Sequence, residues 1–556
     1  MDMTTRKDVL NWRKLLLMGV LAGVLSMPAG TAGSLLGLNA SVDGEELILA
    51  PDTGASGACA ATDPIPPLLV QVGLSDFSVE PNGGSWQKWT AGVDAVGGVP
   101  PPPDTASVQT VQELAEVQMA QLTRTGDDAT YATSVHTGPA HQFWLDYYMQ
   151  HIVKHASKTG KRNPPKLSRE MAIVGTAMED ALILAWEAKY CFNRPAPSVL
   201  LPTIQPLVSV PALPSYPSEH AVVAGVMSAL LPKLFSWIDD ATCAPVVHPA
   251  DCEEDPDGLE ADALHAAYSG ITAGTNYRSD IDAGLTLGRA VGNAVWNSRL
   301  DDGWNATSTR VRITGTCNWV PTPPAFRQTP LEPQWGDVRP WIMTSSSQFR
   351  QPPPPACDSQ EYISQYVQQY YLTGTNGSNL NQRQKDIAKY WEGGQGTVTP
   401  PGITTWEASN VTAAEGLNSL RAARVVAYIG VGVADAGIGV WDTKFTFWWD
   451  RPVTAIPRLA AAGVLPPEAA NWLPYLNTPP FPGYISGHSG FSAAAYFTLA
   501  HFFPEKAAEF RAKSTEAAIS RYYGGIHDEP DNERGIALGM GISDLLVNRA
   551  MTDGAE

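Results

Sequence analysis

The chain has 556 residues, of which 44% are apolar and 17% charged; it can bury a large core, which excludes a disordered class. Lysine and arginine number 37 against 56 aspartates and glutamates, a formal charge of −19 that argues against a nucleic-acid-binding face and against attraction to anionic membranes. Any anionic ligand must be held by a local cluster of positive groups.

Residues 1–33 read as a secretory signal peptide. Arg6, Lys7, Arg13 and Lys14 precede an apolar run, Leu15–Met27, and PAGTAG offers small residues for cleavage. The run is short for a bilayer span, so the expected product is secreted or periplasmic, with no transmembrane domain in the mature chain. Cys59, Cys191, Cys243, Cys252, Cys317 and Cys357 are an even set that an oxidising compartment could pair, with Cys243 and Cys252 the nearest local couple. Residues 34–108 are rich in Gly, Pro, Asp and Ser, and they read as an irregular N-terminal segment ending in Pro100 to Pro103. Apolar positions recurring at three and four then predict helices over 110–124, 141–157, 166–192, 218–236, 258–275 and 280–300, a first helical bundle within 109–317. Residues 318–358, with Pro352 to Pro355, read as a Pro-rich connector. Helical patterns resume at 379–393, 404–445, 466–474, 487–502, 504–523 and 531–549, a second bundle within 359–556. No alternating pattern is long enough for a sheet, and the expected fold is all-α.

The two halves repeat each other in three ordered blocks. DALILAWEAKYCFNRP, from Asp180, parallels DAGIGVWDTKFTFWWDRP, from Asp435; SYPSEHAVVAGVMSALLPKLF, from Ser215, parallels GYISGHSGFSAAAYFTLAHFF, from Gly483. SGITAGTNYRSDIDAGLTLG, from Ser269, parallels SRYYGGIHDEPDNERGIALG, from Ser520. Small-residue helices could mimic one block but hardly three, so the expectation is an internal duplication.

The second half carries the chemistry. Lys444 and Arg451 stand at the end of a long helix that Pro452 is expected to stop. Ser486-Gly487-His488 opens another helix, with a serine N-cap, a glycine that lets backbone approach a ligand, and amides facing an anion. Arg521 and His527 follow, and Asp531 lies within a helical turn of the histidine, where it can fix the tautomer. Two guanidinium forks, one ammonium, a hydroxyl and an amide suit a tetrahedral oxyanion. One histidine would stand behind the central atom, and the other would move a proton on the opposite side.

Lys444 to Pro452, Ser486-Gly487-His488 and Ser520-Arg521 to Asp531, in this order, resemble the signature of the vanadium-dependent haloperoxidases and the type 2 phosphatidic acid phosphatases related to them. Ile485 departs from the proline usual in that family before SGH, a change expected to alter loop geometry slightly without losing a ligand. The resemblance implies a vanadium chloroperoxidase-like pair of helical bundles and a vanadate cofactor held by Lys444, Arg451, Ser486, Gly487, Arg521 and His527. His527 would be the vanadium ligand, His488 the acid–base group, Lys444 a polarising group and Asp531 the group orienting His527. Hydrogen peroxide and halide would be the substrates, and an organic halogen acceptor is a further candidate partner. Trp441 and Phe481 are spaced as in the fungal chloroperoxidase branch, where aromatic groups wall the halide pocket; core packing is the competing reading for each. The runner-up function is a secreted acid phosphatase in which His527 attacks phosphorus and His488 protonates the leaving group. A third reading is a non-catalytic anion-binding protein.

The first half acts as an internal control. Lys189, Arg194, Ser218, Glu219 and His220 align with the site, but Gly270 and Asn276 replace Arg521 and His527, and Glu219 replaces the small Gly487. A carboxylate there repels an anion, so this half is expected to be structural, with Lys189 and Arg194 tied into salt bridges.

Overall fold

The computed structural model describes residues 79–159, 163–235, 256–394 and 396–555. The signal peptide expected over 1–33, most of the segment 34–108 and the Cys243–Cys252 pair lie outside them. Among the described residues the chain is helical, and extended pairing is limited to one bridge, Asn318 to Trp449.

Helix starts follow capping chemistry. Ser107, Asn163, Ser218, Ser359, Asn418, Ser486 and Asp528 each accept the backbone N–H three residues on, satisfying a donor that the helix itself leaves free. The first half comprises α1 (Val108–Thr123), α2 (Gly126–His136), α3 (Ala140–Thr159), α4 (Pro164–Phe192), α5 (Glu219–Leu234), α6 (Pro256–Ala273) and α7 (Arg278–Ser298). The second comprises α8 (Gln360–Thr373), α9 (Gln382–Tyr390), α10 (Thr399–Ala414), α11 (Ser419–Phe447), α12 (Pro452–Ala461), α13 (Gly487–Phe502), α14 (Ala507–Tyr523) and α15 (Glu529–Ala550).

Several boundaries differ from the periodicity reading. The pattern over 404–445 is two helices, because Gly416 turns left-handed at φ 66° and Asn418 caps a new start. Residues 466–474 form only a 3-10 turn, Pro467–Asn471, since consecutive prolines remove the donors an α-turn needs. α8 is rich in Gln and Tyr, so apolar periodicity did not reveal it. Pro452 does not stop the Lys444 helix. That helix ends at Phe447 with Trp448 left-handed (φ 51°, ψ 40°), and Pro452 opens α12, where its missing N–H costs nothing.

The two 29-residue helices α4 and α11 pack against each other at the centre. Their crossing is close because Gly175 and Gly430 lack side chains: a Cβ on Gly430 would lie 2.6 Å from Met171 O, and one on Gly175 2.9 Å from Ala427 Cα. Among the described residues, α11 alone is long and apolar enough to cross a membrane, and its apolar window is entirely buried in the bundle. Around this pair, α5 packs on α7 and α13 on α15.

The repeat extends beyond the three sequence blocks. Asp180 accepts the N–H groups of Trp89 and Thr90, and Asp435 accepts those of Trp341, Ile342 and Met343. Tyr216 Oη donates to Pro100 O, and Tyr484 Oη donates to Pro352 O. Each proline run then leads to a serine-capped helix, α1 or α8. The stretch 318–358 is therefore packed as a strap on the second half, where Arg350 reaches Asp442 at 2.6 Å. A disulfide, Cys317–Cys357, joins its ends, and Cys191 is disulfide-bonded too.

Candidate active site

Three stretches of the second half converge. Lys444, on the last turn of α11, is fully buried and donates to Pro482 O (2.8 Å) and Gly483 O (2.6 Å). Arg451, the N-cap of α12, donates to Phe481 O (3.0 Å) and Ile526 O (2.7 Å), and its Nη1 lies 3.0 Å from His527 Nε2. Phe481 lies under both cations, its ring centre 5.2 Å from Lys444 Nζ and 5.0 Å from Arg451 Cζ. Trp441 packs on Phe481 with ring centres 5.0 Å apart, and both are buried.

The histidine pair is set by caps and turns. Asp528 caps α15 and places Asp531 in its first turn, where Oδ2 meets His527 Nδ1 at 2.6 Å. A guanidinium only donates, so the Arg451 contact assigns the lone pair to His527 Nε2 and the proton to Nδ1. His488, one residue into α13, has Nε2 3.2 Å from Glu392 O and 3.1 Å from Arg521 Nη1. With its proton Nε2 donates to the carbonyl; without it Nε2 accepts from the guanidinium. Arg521 also donates to Ser520 Oγ (3.0 Å) and Ala388 O (3.1 Å). Ser486 caps α13, and its own N–H donates to Asp531 O (2.9 Å). A Cβ on Gly487 would sit in ordinary contact, 3.6 Å from both Trp441 and Phe491. The Tyr484–Ile485 peptide is cis, as is Tyr216–Pro217 in the first half, and every neighbouring site residue is still gathered here.

The electrostatics are lopsided. Lys444, Arg451 and Arg521 are buried, and none has a carboxylate within ion-pair distance among the described residues. Burial pushes the Arg451 guanidinium down to about 10 and Arg521 to about 9, and burial together with Arg451 holds Lys444 well below its usual range. Burial, then Arg451 and Lys444, keeps His527 neutral; burial, then Arg521, does the same for His488. Arg451 Nη2 and Asp531 Oδ1 are buried without a hydrogen-bond partner. Uncompensated buried charge costs several kcal/mol per ion, and an oxyanion with several acceptor oxygens is the chemistry that relieves it. The donor set therefore fits vanadate, and equally phosphate.

The first half shows the same frame with its charges cancelled. Lys189 donates to Pro214 O (2.7 Å), as Lys444 does to Pro482, but Glu219 meets its ammonium at 3.4 Å. Arg194 pairs with Asp280 (2.7 Å) and Glu113 (3.0 Å) instead of with Glu219. Asn276 stands in for His527 and bonds Ser218 and Ser215. At Gly270, in place of Arg521, the space is taken by His136, whose ring lies 4.5 Å from His220. A small pocket of about 50 Å³ lined by Lys189, Glu219, His136 and His220 remains.

Sequence reasoning missed the backbone partners: the carbonyls of Ala388 and Glu392 on Arg521 and His488, and of Leu331 on Trp441 Nε1. Main-chain acceptors carry no residue signature. Asp528 was readable as an N-cap, from an Asp followed by Glu-Pro.

Residues 424–514 match the family profile of the VCPO second helical-bundle domain. The vanadium chloroperoxidase of Curvularia inaequalis is 27% identical over 252 residues, which is 39% of this chain and 37% of the relative, so the match spans just over a third of that protein's length. Among solved structures, the first bacterial vanadium-dependent iodoperoxidase superposes with a TM-score of 0.54 at 22% identity, covering 73% of this chain and 94% of that one. A holo-type bacterial vanadium-dependent chloroperoxidase gives a TM-score of 0.50 at 14% identity, covering 73% and 97%. At these identities the solved structures speak for the shared fold, and the matched profile speaks for the sequence of the second bundle. The chain thus shares its fold with the vanadium-dependent haloperoxidases, and residues 424–514 carry the sequence profile of the VCPO second helical bundle.

Proposed function

We propose that this chain is an exported vanadium-dependent haloperoxidase, oxidising halide with hydrogen peroxide. The observation that carries the reading is the set of three buried cations, Lys444, Arg451 and Arg521, none of them ion-paired to a carboxylate among the described residues, beside the unprotonated His527 Nε2, which accepts from Arg451. A bound vanadate supplies a Lewis-acidic centre that activates peroxide without changing oxidation state. Arg451 through its unpartnered Nη2, Arg521, the Lys444 ammonium, Ser486 and the Gly487 amide would hold the vanadate oxygens. His527 would offer vanadium the Nε2 that now accepts from Arg451, while Asp531 keeps the proton on Nδ1. His488 changes protonation at Nε2 without losing a partner, as an acid–base group requires. Trp441 and Phe481 form an apolar wall suited to a large, weakly hydrated halide; an organic halogen acceptor would react with the oxidised halogen.

The phosphatase reading rests on the same unprotonated His527 Nε2, which could attack phosphorus. Bromination of monochlorodimedone with peroxide and added vanadate supports the first reading. Release of p-nitrophenol from p-nitrophenyl phosphate, blocked by vanadate, would replace it with the second. Vanadate binding with neither activity would leave a non-catalytic anion-binding protein. Export is supported by the positive and apolar pattern of residues 1–33 and by the Cys317–Cys357 disulfide, and N-terminal sequencing of the secreted product tests it.

A further inference from the structure

α8 presents Tyr362, Tyr366, Gln369 and Thr373 along one buried face, at helical spacing. Tyr362 and Tyr366 donate to Asp450, the residue before Arg451 (2.8 and 3.4 Å). Gln369 is fully buried, and its Nε2 donates to Tyr522 O (3.2 Å) and His527 O (2.9 Å), while Oε1 has no partner. These two carbonyls bracket the turn that leaves α14 just after Arg521 and delivers His527 to the start of α15. A single amide therefore ties the guanidinium end of the turn to the imidazole end.

The duplicated half provides a comparison. Gln369 stands ten residues after the N-cap Ser359, and Val117 stands ten after the N-cap Ser107. Val117 is equally buried but has no donor. The half that has Asn276 in place of the histidine also lacks the amide that would hold that turn.

We infer that Gln369 is a positioning residue for the oxyanion site, acting through the His527 backbone to fix the imidazole at its working distance from Arg521 and Arg451. This rests on the reading of the cluster as an oxyanion site. The full mature chain and its Gln369→Leu, Gln369→Glu, His527→Ala and Gln369→Leu/His527→Ala variants are titrated with orthovanadate by calorimetry, and each is melted. Gln369→Leu removes both donors, and Gln369→Glu keeps the size but turns the donor into an acceptor.

The expected result is a 10- to 100-fold loss of vanadate affinity in both Gln369 variants, of the order seen when groups behind a metal ligand are removed, with melting within a few degrees of the wild type. In the His527→Ala background, Gln369→Leu should cost almost nothing further, because its effect runs through the missing ring. Unchanged affinity in the Gln369 variants, or an additive loss in the double variant, overturns the inference and leaves the oxyanion reading standing. If Gln369→Leu does not fold, the size-matched Gln369→Glu decides on affinity alone. A wild-type chain that binds no vanadate overturns the oxyanion reading itself, and the inference with it.

Discussion

At the scale of single residues, the two site histidines are separable by what touches them. His527 is clamped between Asp531 and Arg451, so His527→Ala removes the nitrogen that accepts from Arg451. Halogenation should vanish in that variant, while vanadate binding should weaken but stay measurable through the three cations; retained turnover would defeat the assignment. His488 is held by a carbonyl and a guanidinium instead, and His488→Ala should cut kcat by about 10²- to 10⁴-fold while leaving vanadate affinity within about tenfold, measured by parallel turnover assays and calorimetry. A third histidine, His141, reports on stability. It is fully buried with Nε2 on Thr412 (3.3 Å), and burial, followed by His220, pushes it down to about 3. Below about pH 6.5 the unfolded chain takes up a proton there that the folded chain refuses, so stability falls between pH 6.5 and 3 at up to about 1.4 kcal/mol per pH unit for this group. Melting temperatures over that range should decline less steeply in His141→Gln than in the wild type.

Among elements, the strap on the second half is the one whose role is not apparent from its composition. Its proline runs suggest a passive connector, yet Cys317 O accepts the Asp450 N–H (3.0 Å) and Trp319 N donates to Trp448 O (2.6 Å), so it braces the backbone leading into Arg451. The Cys317–Cys357 disulfide closes a loop of sequence separation 40, for which chain entropy gives roughly 4 kcal/mol of stabilisation. Cys357→Ser should therefore lower the melting temperature and, because the bracing lies beside Arg451, weaken vanadate binding as well; a drop in melting temperature with unchanged affinity would confine the disulfide to stability. Helix starts were legible at the Ser107, Asn163, Ser218 and Ser486 caps, each ahead of an apolar pattern, whereas the Asn418 cap lay inside a continuous apolar pattern and was read through. α8 was not, because its buried face is made of Tyr, Gln and Thr, which look like a surface in sequence and are interior only because Asp450 and two carbonyls await them.

For the whole molecule, duplication has produced two frames with opposite charge balance. In one, Glu219, Glu113 and Asp280 neutralise the lysine and arginine; in the other, three cations are left for a ligand. Vanadate should bind with a stoichiometry of one per chain, and Glu219→Gly should not create a second strong site, since Asn276 and Gly270 still replace the histidine and the third cation; equilibrium dialysis with metal analysis checks both. The residue types and their order were enough to determine the helical class, the duplication and the list of side chains that the fold gathers at the candidate site, because caps, periodicity and charged motifs are local and survive in a linear string. Which cations lack an ion pair, which nitrogen of His527 is unprotonated, and which main-chain carbonyls hold Arg521 and His488 were decided only by the tertiary structure. Those properties depend on distances of a few ångströms between segments far apart in the chain, and on a burial that gives each missing partner its energetic weight.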